Sequence, residues 1–245
     1  MTSIMDWMMS ARATRLRGAA GWRCEREVRM DTQQATPARP RPRGRPGLTP
    51  EVREQALLTA GELLAEQGLK GMQARTIAAR AGLSVGSIYK LFGDIDDLIR
   101  ELNLRTYRDI EVHHSSALEA SGLPPEAVFE RALVLARAYI EFVVTQNARW
   151  MALLSFNRRQ SGAAPKAYTE TEDALFGIVE GVLEAGRGFE DPDFRRRAAR
   201  TLWASVHGIV TMTLPNAALE DPAAEALEQA SMMIGALIRD AAAQK

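Results

Sequence analysis

The chain has 245 residues with 31 basic and 31 acidic side chains, so its formal net charge is zero. A single cysteine, Cys24, excludes an internal disulfide and suits a reducing compartment. No apolar run approaches the ~20 residues of a membrane span and no signal-peptide core opens the chain, so the expectation is a cytoplasmic protein without membrane contact.

The zero balance hides a split. Residues 1–48 hold ten Arg and no Lys against Asp6, Glu25, Glu27 and Asp31, which leaves the remainder acidic. A basic arm on an acidic body implies that one end meets a polyanion. Residues 1–29 show no helical period, and Met30 opens a stretch that reads as an alternative start. Pro37, Pro40, Pro42 and Pro46 then favour extended chain over residues 31–48. Within it, Pro42-Arg43-Gly44-Arg45-Pro46 is similar to the core of an AT-hook. In such a ribbon Gly permits entry to the minor groove, and Arg43 and Arg45 meet its negative potential.

Thr49-Pro50-Glu51 reads as a helix start: a capping hydroxyl, a first-turn proline and an acid at the positive end of the dipole. Ala56, Leu57, Ala60, Leu63 and Leu64 form the apolar stripe, and Gly68 ends it. Two short amphipathic runs follow, flanking Gly82-Leu83-Ser84. Gly82 supplies the left-handed turn, Leu83 an apolar plug, and Ser84 the cap of the second run. In that run Ile88, Leu91 and Phe92 point inward, leaving Val85, Ser87, Tyr89 and Lys90 outward. A helix, a short turn and a helix is the layout that offers a second helix to the DNA major groove.

Ile77-Ala78, Ala81-Gly82-Leu83-Ser84, Gly86-Ser87-Ile88-Tyr89, Phe92 and Leu98 together resemble the helix-turn-helix of the TetR/AcrR-like bacterial repressors. The resemblance implies a DNA-binding head with Arg75, Thr76, Ser84, Val85, Gly86, Ser87, Tyr89 and Lys90 at the nucleic acid. One departure is Ile95, where the family usually has a Lys, so a phosphate contact is absent and the arginine arm is expected to supply more of the attraction.

Asp94, with Asp96 and Asp97, opens a fourth helix running to about Leu118. His113-His114 near its end lacks a third donor at metal spacing and reads as surface. Five longer apolar helices follow: about Pro124–Gln146, one capped by Asn147, about Ala164–Ala185, and two opened by Asp191-Pro192 and Asp221-Pro222. No stretch alternates as a strand does, so the fold class is all-α, with about nine helices, three in the head and six behind. The stretch Trp203-Ala204-Ser205-Val206-His207-Gly208 is similar to the C-terminal ligand domain named for Trp-His-Gly.

The expected organisation is an arm over 1–48, a head over 49–95, and an effector-binding and dimerisation domain over 96–245. The resemblance implies a homodimeric repressor on double-stranded DNA, with a palindromic operator and a small apolar effector lined by some of Tyr139, Phe142, Trp150, Met151, Phe156, Phe176, Trp203 and His207. An enzyme fails on inventory, with three His, one Cys, and neither two Glu-x-x-His motifs nor a Gly-rich phosphate loop. No cofactor is expected. The competing reading is an architectural protein that binds DNA nonspecifically through its arm.

Overall fold

The computed structural model describes residues 47–159 and 165–243, all within the compact unit Arg45–Lys245. Among these residues there are nine α-helices, a single 3-10 turn at Gly68–Gly71, and no strand. Three helices form the head: α1 (Pro50–Gln67), α2 (Ala74–Ala81) and α3 (Val85–Phe92). Six follow: α4 (Ile95–Ser121), α5 (Val128–Thr145), α6 (Asn147–Asn157), α7 (Lys166–Leu183), α8 (Pro192–Thr213) and α9 (Pro222–Ala243).

The helix starts follow from side-chain caps. Thr49 Oγ1 accepts from the Val52 amide, Ser84 Oγ from Ser87, and Asp94 Oδ1 from Asp97. Asp191 and Asp221 cap α8 and α9, each with proline in the first turn. Two expected boundaries are corrected. The helix expected from Pro124 starts at Val128, because the Leu123–Ala127 connection turns before the helix can form. Asn147 is the first residue of α6 rather than its cap: Gln146 alone separates α5 from α6, with no side-chain cap.

Two apolar cores result. The first unites α1–α3 with Leu98, Ile99 and Leu102 of α4 and with Ala152 and Phe156 of α6. The second fills the six-helix body, with Tyr107 and Ile110 contributed by α4. Helix α4 therefore belongs to both. In the body α4 packs on α5 and α7, α5 on α9, and α8 on both α7 and α9. At the α7–α8 connection, Gly188 has a positive φ of 92°, and a Cβ there would fall 2.1 Å from the Ala241 carbonyl oxygen. Only glycine lets that loop close against the end of α9.

Candidate functional site

The geometry offers an outward helix face on the head and a hollow in the body. The turn between α2 and α3 starts at Gly82, whose φ of 68° is left-handed. The Leu83 amide then donates to the Ala78 carbonyl (2.8 Å), and the Leu83 side chain packs on the head core. That closure sets the angle of α3. Ile88 is fully buried and Phe92 nearly so, which anchors α3 by one stripe. Val85, Gly86, Tyr89 and Lys90 remain exposed, with Tyr89 at 48%. Ser84 and Ser87 are half-buried; their hydroxyls lie 2.8 Å apart. Arg75 is exposed and Thr76 half-buried in the first turn of α2. Arg43 and Arg45 lie outside the described residues.

Ion pairing sorts the head's cations. Arg53 is held by Glu101 of α4 and stacks over the Phe92 ring, 4.8 Å from its centroid. Arg80 is engaged by Glu66, which holds its guanidinium further toward the charged form. Arg75 and Lys90 have no such partner among the described residues, so their charges stay available on the α2–α3 side. Ile95 is half-buried against the head core, so the departure noted in the sequence is a packing residue.

The body hollow, about 120 Å³, is lined from α4, α5, α6, α7 and α8. It brings together Tyr139, Trp150, Phe176, Trp203 and His207 as expected. Three expected residues lie elsewhere. Phe142 turns toward His113, with ring centroids 6.3 Å apart. Met151 is 46% exposed on the outer side of α6. Phe156 belongs to the head core, with the Arg100 guanidinium 5.8 Å from its ring centroid. A one-turn step along α6 is enough to send neighbouring apolar residues to different places.

Polar groups in the hollow are joined in two chains. The Trp150 indole N–H donates to the Tyr139 hydroxyl (2.9 Å), which lies 2.7 Å from His207 Nδ1. Burial holds the Tyr139 phenol well above its ordinary pKa, and burial with Arg158 nearby lowers that of His207. In the second chain the Asn157 amide donates to the Tyr107 hydroxyl (3.1 Å), which donates to Glu172 Oε1 (2.9 Å). Burial and the Glu172 charge raise the Tyr107 pKa, so its proton stays in place.

Tyr107 and Glu172 were not singled out in the sequence, although a signal existed. Glu172 sits one turn after Tyr168 and one turn before Leu175 and Phe176, an acid on the apolar stripe of α7. His114 is corrected from surface to interior: it is 2% exposed, with Nδ1 2.7 Å from the Ile110 carbonyl. Burial lowers its pKa to about 4. It lines a smaller chamber of about 40 Å³, separated from the first by Tyr139 and Trp203, whose ring centroids are 5.1 Å apart. A third hollow, about 390 Å³ and open, lies between α1, α4 and α6. Its Arg105 and Arg149 are already paired with Glu54 and Asp109.

Among the described residues no cluster of His, Cys, Asp or Glu could hold a metal ion, and no helix is long and apolar enough to cross a membrane. A capped helix-turn-helix with an outward second helix, joined by one long helix to a hollow helical body, defines a DNA-binding regulator rather than an enzyme. Residues 56–102 match the family profile of bacterial regulatory proteins, tetR family, and residues 118–242 that of the tetracyclin repressor-like C-terminal domain. The chain belongs to the TetR family of transcriptional regulators.

Solved structures share the fold. A protein of unknown function from Rhodococcus sp. RHA1 is 24% identical, with a TM-score of 0.60 over 78% of this chain and 97% of that one. FadR from Bacillus subtilis, solved with stearoyl-CoA, is 18% identical, with a TM-score of 0.57 over 74% and 97%. The TetR-family regulator PfmR from Thermus thermophilus is 19% identical, with a TM-score of 0.51 over 75% and 97%. No curated protein sequence matches the chain.

Proposed function

We propose that this regulator is a cytoplasmic repressor, a homodimer that grips a palindromic operator with two copies of α3 and releases it when a small, largely apolar effector fills the body cavity. The observation that carries the reading is the course of α4. Its first turns give Leu98, Ile99 and Leu102 to the head core, and its middle gives Tyr107 and Ile110 to the cavity wall. A ligand that repacks the middle of one continuous helix moves the head built on its start. It does so to the extent that it binds the released state better than the DNA-bound state. FadR with its bound acyl-CoA supports a small-molecule role for such a body.

Val85, Ser87 and Lys90 are assigned to base edges. Tyr89, Lys90, Arg75 and Thr76 are assigned to phosphates, and Ser84 and Gly86 to the close approach of the helix start. Two-fold symmetry sets the half-sites ~34 Å, or a multiple of one turn, apart. The subunits would meet through α8 and α9. Ala204, Gly208 and Met212 recur at one-turn spacing on the exposed side of α8, as do Met232 and Ala236 on α9; Met212 is 78% and Met232 69% exposed. Small residues there let two helix pairs approach closely. Gly235 is not part of this face, since it is buried and a Cβ there would lie 3.5 Å from the Phe129 ring.

The basic arm favours a second reading, nonspecific architectural binding through Arg43 and Arg45. A gel shift on the gene's own upstream region, with excess unrelated DNA, separates the two. A shifted complex that survives the competitor supports the repressor, and its loss supports the architectural protein. Genome-wide mapping of bound sites then identifies the regulated genes.

A further inference from the structure

We infer that the effector is a flat aromatic compound that presents a hydrogen-bond donor, an amine or a hydroxyl, to Glu172, and that the cavity rejects carboxylates. This rests on the reading of the cavity as the effector site. Tyr107, Tyr139, Trp150, Phe176 and Trp203 line one hollow, and Trp203 meets Phe176 edge-on at 6.0 Å and Tyr139 at 5.1 Å. Such walls select planar rings and, through their negative faces, cations.

The polar groups narrow the class. Glu172 is the one carboxylate in the lining, and neither Lys nor Arg shares it. Its Oε1 accepts the Tyr107 hydroxyl, so one oxygen is fixed in place. No described residue donates to the other oxygen, which is left to accept from a ligand. A carboxylate beside it meets like-charge repulsion in a poorly screened site. His207 does not offset this. Burial lowers its pKa below the ordinary imidazole value, so near neutral pH the ring is uncharged, with Nδ1 engaged by the Tyr139 hydroxyl. Its Nε2 is left for a hydrogen bond with a ligand, and the ring brings no charge. The nearby cations stand outside the lining: Arg158 is exposed on the residue after α6, while Arg200 is paired with Asp173 and stacked over Phe176 at 4.9 Å.

The test uses the full chain and three probes with one ring system: 1-naphthylmethylamine, 1-naphthalenemethanol and 1-naphthoate. Calorimetry near neutral pH is expected to rank the amine first, the alcohol second and the acid last, the acid about tenfold or more weaker than the amine. In Glu172→Gln the amine should lose about tenfold, the alcohol should change little, and the acid should gain. An acid that binds the natural chain as well as the amine does, or a ranking unchanged in Glu172→Gln, overturns the inference. The ranking on the natural chain needs no variant, so a poorly folding Glu172→Gln does not remove the test. The alcohol separates this inference from the reading beneath it. If it binds the natural chain equally to a Leu175→Trp cavity-filling variant, or binds neither, the cavity reading falls and takes the inference with it. If it binds only the natural chain and the charge ranking is wrong, the ligand class alone falls.

Discussion

The head and the body use the same material, amphipathic helices around an apolar core, for opposite purposes. In the head the core is filled and the chemistry faces out: Ile88 and Phe92 bury one stripe of α3 so that Val85, Tyr89 and Lys90 stay in solvent. In the body the chemistry faces in, around a hollow bounded by aromatic rings and two hydrogen-bonded chains. A full core makes a rigid platform that positions a surface for a large partner. An imperfectly filled core leaves lining atoms without contacts that a small molecule can supply. Helix α4 runs through both and contributes side chains to each core.

The comparison breaks most severely at Ile88. Replacing this fully buried side chain by alanine removes the anchor of α3 and should cost about 2–5 kcal/mol in the head. DNA binding should be lost while calorimetric binding in the body cavity persists, as chemical denaturation and gel shifts would report. If cavity binding is lost as well, the two cores are not separable.

A body-side counterpart is His114, whose folded pKa of about 4 lies below the ordinary value of 6.5. The unfolded chain therefore takes up this proton first as pH falls. The contribution is complete above about pH 6.5, declines between about 6.5 and 4, and is spent below that. The expected loss over the window is on the order of 3 kcal/mol. His114→Phe should flatten the dependence of melting temperature on pH in this range, and an unchanged slope would place the titrating group elsewhere.

Tyr139→Phe is a smaller change that sharpens the division. It strands the Trp150 N–H and releases His207 Nδ1 at a stability cost of about 1–3 kcal/mol. Operator affinity in the absence of effector should hold while the response to effector weakens, measured by titrating the operator complex with ligand. The smallest effects belong to the outer face. Lys90→Ala should weaken binding with little change in melting temperature and lower the salt slope by about 1. Ile95→Lys should do the reverse at the operator, tightening binding and steepening the salt slope, with its aliphatic stem covering the apolar surface that Ile95 covers now.

Local rules made the head readable from residues alone. A C-cap glycine at positive φ and a side-chain N-cap occur within three residues at Gly82-Leu83-Ser84, and each acts on its immediate neighbours. The buried and exposed sides of α3 follow from the helical period. The cavity was half legible. Aromatic residues on the body helices pointed to it, and Tyr139, Trp150, Phe176, Trp203 and His207 meet there, but Phe142, Met151 and Phe156 carry the same apolar signature and go elsewhere. Hydrophobicity states that a side chain is buried, not which helix covers it. Glu172 and His114 show the converse: polar residues on apolar stripes, whose position in the period was the available clue.

The sequence by itself determined the side-chain-capped helix starts, the outward face of α3, the all-α class and the charge split between arm and body. All of these depend on residues near one another in the chain, or on composition. Only the tertiary structure decided that α4 shares both cores, that Arg53 and Arg80 are tied up while Arg75 and Lys90 are not, and that Tyr107, Glu172, Tyr139 and His207 line one hollow. Those outcomes depend on how helices far apart in sequence cross, and on side-chain reaches of a few ångströms at the crossings. Short-range propensity carries no information about either.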